Sequence, residues 1–98
     1  MKIIEMPEHS GDWLTAVVCG RWVQAKIFNE PSTFGINNGR ISKLVVGKTD
    51  VCRKGENFLN QMCFSYDRGL DFDEAPDGLI DSIVAELEQF KQLPCDDA

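Results

Sequence analysis

Several stretches of this chain carry side chains that could do chemistry, and none has the spacing that the chemistry requires. His9, the single histidine, sits in the turn Glu8-His9-Ser10-Gly11-Asp12. One imidazole with two carboxylates in one turn is a weak metal set, and a solvated loop histidine accounts for it better. Asp71, Asp73 and Asp77 precede Gly78 roughly as in a calcium loop, but the glycine falls late and Ser82 stands where the distal Glu is needed. Acidity at the positive end of a helix dipole explains that cluster. The loop Gly35-Ile-Asn-Asn-Gly39-Arg40-Ile-Ser42 lacks the glycine spacing and the Lys of a phosphate-binding loop, and it runs into a strand. It reads as a tight turn, with Asn37, Asn38 and Arg40 as the alternative polar contact site. Cys19, Cys52, Cys63 and Cys95 form no C-x-x-C pair, and no Ser or Cys lies in a nucleophile motif. The residues therefore assign no catalytic group, no metal and no cofactor.

Binding is better represented. Trp13, Trp22, Phe28 and Val17, interspersed with Arg21, Gln24 and Lys26, concentrate in one segment, and aromatics with basic neighbours are enriched at interaction surfaces. Tyr66, Asp67 and Arg68 follow at the end of a later strand as a rim, where Asp67 and Arg68 read equally as a local ion pair. The binding candidates are Trp13, Trp22, Lys26, Phe28, Arg40, Tyr66 and Arg68. An enzyme would place its chemistry near Arg40, Tyr66, Asp67 and Arg68, on a phosphorylated or acidic small molecule.

The elements that must position these residues follow from patterning. Lys2–Met6 is a short strand ended by Pro7. Trp13 to Phe28 is a hairpin about Gly20-Arg21, because glycine suits the first position of a type II′ turn. That turn opposes Cys19 to Trp22, Val18 to Val23, Ala16 to Ala25 and Leu14 to Ile27. It sorts Leu14, Ala16, Val18, Val23, Ala25 and Ile27 onto one apolar face, and Trp13, Thr15, Val17, Cys19, Trp22, Gln24, Lys26 and Phe28 onto the other. Asn38-Gly39 signals a turn before a strand over Ile41–Gly47, Lys48–Glu56 reads as loop, and a last strand runs from Phe58 to Tyr66. A helix spans about 76 to 92, with Pro76 in its first turn and Pro94 beyond its end. Leu79, Ile80, Ile83, Val84, Leu87 and Phe90 form its apolar stripe. The expected fold is α+β: one domain over residues 1–98, an antiparallel sheet of about five strands covered on one face by that helix, with an acidic tail at 93–98.

Composition agrees with this reading and narrows the partners. The 98 residues are 43% hydrophobic and 27% charged, as in ordinary globular domains. No apolar stretch approaches the roughly 20 residues that cross a bilayer, and the first residues lack a secretory apolar core. Cytoplasmic thiols and no membrane association are expected, with Cys95 exposed. The formal net charge is −6. Residues 1–66 hold eight basic and six acidic side chains, whereas 67–98 hold two and ten. Such an acidic end disfavours nucleic acid, and it suits a basic protein partner.

The run from Pro31 to Leu44, with Tyr66-Asp-Arg-Gly69, resembles a pattern in uncharacterised small bacterial proteins of mobile elements, of the integron gene cassette type. The resemblance implies a compact accessory protein and supplies no activity or catalytic residue. The expectation is a non-enzymatic binding protein that uses the aromatic sheet face for a homodimer, another protein or a small molecule.

Overall fold

A computed structural model describes residues 1–53 and 55–90. Six strands form one antiparallel meander in chain order: β1 (Lys2–Glu5), β2 (Trp13–Val18), β3 (Arg21–Ile27), β4 (Ile41–Gly47), β5 (Met62–Asp67) and β6 (Leu70–Asp73). One helix, α1 (Leu79–Glu88), follows. The α+β class is as expected. Leu14, Ala16, Val18, Val23, Ala25 and Ile27 are buried in one cluster with Leu44, Val46, Phe64, Ile83, Val84 and Leu87, and Leu79, Ile80 and Phe90 pack at its edge. Burial of each large aliphatic side chain is worth about 1.5–3 kcal/mol, so the helix and the apolar sheet face stabilise one another.

The β2–β3 turn lies one residue earlier than expected. Cys19 and Gly20, not Gly20 and Arg21, occupy the corner, both with positive φ (51° and 74°). Positive φ at both central residues marks a type I′ turn, whose twist matches that of the strands. The pairs are therefore Val18 with Arg21, Ala16 with Val23, Leu14 with Ala25 and Trp13 with Lys26. Moving the corner by one residue changes every partner by two positions. Side chains alternate with period two, so the assignment to faces survives.

Four further boundaries differ from expectation. Leu70–Asp73 forms a sixth strand, although its alternating acids resemble a helix entrance. Asp73 terminates this strand by accepting a hydrogen bond from the Ala75 N–H (3.0 Å). β5 begins at Met62 rather than Phe58, because Asn57 Oδ1 accepts from the Leu59 N–H and starts a 3₁₀ turn over Leu59–Gln61. Pro76 precedes the helix instead of opening it. Its carbonyl accepts from the Leu79 N–H in a turn, and Gly78, at φ 81°, is the N-cap. The helix also ends earlier than the expected 92, at Glu88 with Gln89 as C-cap, where the Gln89 N–H turns back to the Glu86 and Leu87 carbonyls. Pro94, Cys95 and the tail fall outside the described residues.

The loop between β3 and β4 is fastened by Arg40. Its guanidinium donates to the carbonyls of Glu88 (3.1 Å), Phe90 (2.8 Å) and Phe28 (2.8 Å), and its backbone N–H donates to Glu88 Oε2 (2.9 Å). A cation at the negative end of a helix is favourable, and here it also satisfies terminal carbonyls. The turn lies one residue earlier than the expected Asn38-Gly39: Asn37 and Asn38 take the positive φ values (55° and 58°), and Gly39 is extended at φ −98°. Gly39 serves differently: a Cβ there would displace the Glu88 carboxylate, whose Oε2 accepts from the Arg40 N–H.

Cys63 is buried, and its thiol points at the Gly47 carbonyl (3.6 Å). Burial pushes its pKa up, with the nearby Arg21 charge opposing the shift. A neutral thiol is therefore favoured in the fold, and its contribution is lost as pH rises from the ordinary thiol value toward the raised one.

Two outcomes check this description. Cys19→Asn creates the preferred Asn-Gly corner and should stabilise the protein by about 0.5–1 kcal/mol, read as a Tm several degrees higher. Arg40→Met removes hydrogen bonds from a charged donor, each worth about 1.5–3 kcal/mol. It should lower the denaturant midpoint by far more than Arg53→Met, whose side chain pairs with exposed Glu56.

Candidate functional site

Because opposed residues in an antiparallel pair share a face, the register lays out the sheet surface away from the helix as cross-strand rows. One row runs Trp13, Lys26, Lys43, Asp67 across β2 to β5. The next runs Glu5, Thr15, Gln24, Val45, Ser65, Phe72 across the whole sheet. The second row's polar side chains are satisfied locally: Gln24 Nε2 donates to Thr15 Oγ1 (3.2 Å), and Ser65 Oγ donates to Oδ2 of Asp71, next to Phe72 on β6 (3.0 Å). In the first row, two lysines stand directly opposite one another.

The neighbours of these lysines divide the charge. Lys26 Nζ lies 5.2 Å from the centre of the Trp13 ring, a cation–π distance. Lys43 Nζ lies 3.5 Å from Asp67 Oδ1, and Arg68 Nε approaches the same oxygen at 3.8 Å. These are exposed contacts with small energies.

Beside the lysines lies a groove of about 650 Å³, within the size range of small-molecule sites. Lys26, Lys43 and Arg68 line it together with Phe28, Pro31 and Phe34. Two features place the aromatic wall. Gly11, at φ 87°, passes so close to the Phe28 ring that a Cβ would collide with it, and Ser10 Oγ accepts from the Asn29 N–H (2.8 Å). Phe34 is held through its backbone: its carbonyl accepts from the Tyr66 hydroxyl (2.9 Å), and its N–H donates to Ser32 Oγ (3.2 Å). The Phe34 side chain stays 57% exposed.

The sequence candidates thus separate. Lys26, Phe28 and Arg68 meet at the groove, and Trp13 adjoins it through Lys26. Trp22 does not join them. It lies four residues along β3 from Lys26, about 13 Å at strand rise, and packs edge-on against Phe58 (6.0 Å between centroids). Arg40 holds the helix end, and Tyr66 pairs with Leu44 on the core side. Both support the site from behind. Lys43, Phe34 and Pro31 are among the groove residues that sequence reasoning missed. A 13-residue connection, 28–40, separates β3 from β4 and leaves the pairing of Lys43 with Lys26 unspecified by any local turn.

Metal chemistry gains no support: among the described residues, no group of three or more His, Cys, Asp or Glu side chains is arranged to hold an ion. His9 Nδ1 lies 3.5 Å from Asp12 Oδ2 in its turn. No helix among the described residues is long and apolar enough to cross a membrane.

The chain belongs to the family described as Domain of unknown function (DUF7678), whose pattern matches residues 12–90. No curated protein and no solved structure matches it. The matched span contains β2 through α1, and with them every groove residue except Ser10.

Arg68 supplies a test of whether this corner is shaped by folding alone. It has φ 55°, a conformation that costs an ordinary side chain energy and glycine almost none. Arg68→Gly should leave the urea midpoint unchanged or raise it by up to about 1 kcal/mol equivalent. A clear loss of stability would show that the side chain is needed for the fold.

Proposed function

We propose that this protein is a non-enzymatic binding protein that holds a small molecule against the helix-free face of its sheet. The observation that carries the reading is the groove beside the Trp13–Lys26–Lys43–Asp67 row, where exposed aromatic rings and cations converge on one concavity. Ligand sites combine such an apolar wall with a few placed polar groups.

The enzymatic alternative is less supported, because its four residues are divided between the two faces. Arg40 and Tyr66 serve the helix side, whereas Arg68 lines the groove and Asp67 ends the lysine row. Self-association through the same face is the competing binding mode. Free Cys19, Cys52 and Cys63 favour a reducing, cytoplasmic setting. A role as an accessory product of a mobile element rests on the Pro31–Leu44 resemblance and adds no chemistry.

A fragment screen by amide NMR, with sedimentation analysis of the same sample, tests the reading. Shift changes should cluster at Ser10, Lys26, Phe28, Phe34 and Lys43, in a protein that sediments as a monomer. Hits scattered elsewhere, or a dimer that protects this face, would overturn it.

A further inference from the structure

We infer that the groove selects a small organic anion, its flat apolar body against Phe28 and Phe34 and its carboxylate or phosphate among Lys26, Lys43 and Arg68. This rests on the small-molecule reading above and adds the chemical class of the ligand. Three independent features of the corner support it.

The first is the direct opposition of Lys26 and Lys43. Like charges at opposed positions destabilise a sheet, yet this chain of net charge −6 concentrates cations there. The second is Arg68. It occupies a left-handed position where glycine or asparagine costs less, with its side chain 67% exposed and lining the groove. A local rule broken without a gain to the fold points to use by something else. The third is the wall: Phe28 and Phe34 are 42% and 57% exposed, and Pro31 stands beside them. Cations alone would attract any anion, whereas this wall requires a ligand with an apolar surface to cover.

The opposing charges are Glu30 in the lining and Asp67 at the end of the row. Asp67 partly neutralises Lys43 and Arg68 through long contacts of 3.5 and 3.8 Å. It therefore competes with the ligand head, and removing this carboxylate should strengthen binding.

The test is an amide NMR titration with naphthoate, naphthyl phosphate and the neutral naphthalenemethanol, repeated at low and high salt. Both anions should perturb the groove residues and bind at least about tenfold tighter than the alcohol. Their affinities should fall with added salt, and the tighter of the two identifies the preferred head group. Lys26→Gln and Lys43→Gln should each weaken the anions about fivefold, Arg68→Gly likewise, and Asp67→Asn should tighten them at least twofold. The variants are compared at equal folded fraction by their amide spectra. Equal binding of the alcohol and the anions at the groove would overturn the anion inference and leave the small-molecule reading intact. Unchanged affinity in the lysine variants, or no perturbation by either anion, would also overturn it, while the broader fragment screen decides the reading itself.

Discussion

The seating of the helix on the sheet depends on one arginine. Arg40 stands where the long β3–β4 connection returns to the sheet, and its guanidinium reaches both the end of β3, at the Phe28 carbonyl, and the end of α1, at the Glu88 and Phe90 carbonyls. The contact closes a sequence separation of about fifty residues with a charged donor on terminal helix carbonyls. Glu88 returns the interaction through the Arg40 N–H, and glycine at position 39 leaves room for that carboxylate. Once the helix end is held there, Ile83, Val84 and Leu87 have one available surface, the face built by Leu14, Ala16, Val18, Val23, Ala25 and Leu44.

Coverage of one face by a single short helix defines the character of the other. An antiparallel sheet needs no second layer on a side whose polar groups are satisfied locally, as Thr15 is by Gln24 and Ser65 by Asp71. At the far end of β3, the Trp22–Phe58 contact closes part of the surface. The end near the β3–β4 connection stays open, and there the same loop that Arg40 anchors projects Phe34 and Pro31 outward beside the lysines. Anchor and groove are two sides of one loop, so a structural arginine that binds the Phe28 carbonyl also fastens the loop that carries Phe34.

Legibility followed the range of the interactions involved. The apolar faces of β2, β3 and α1 were readable because period-two and helical patterns are local, and an error in the turn between β2 and β3 displaced partners without exchanging faces. β6 was not readable. Leu70-Asp71-Phe72-Asp73 carries acids suited to a helix entrance, and its strand state comes from pairing with Ser65 and its neighbours on β5. Among the binding candidates, Lys26, Phe28 and Arg68 were recognisable by residue type, whereas Arg40 and Tyr66 were claimed by backbone carbonyls of the helix end and of Phe34.

By itself, then, the sequence determined the class of fold, the residues of the core and the existence of a second, aromatic and partly basic sheet face. All of these follow from the alternation of side chains along segments a few residues long. Tertiary structure decided which of those exposed residues meet. Lys43 faces Lys26 because β3 and β4 pair in one register across a connection that no short-range turn rule governs, and Phe34 joins them because its loop is tied to β5 and, through Arg40, to the helix end. The chemistry of the groove arises from those long-range pairings, which no local pattern encodes.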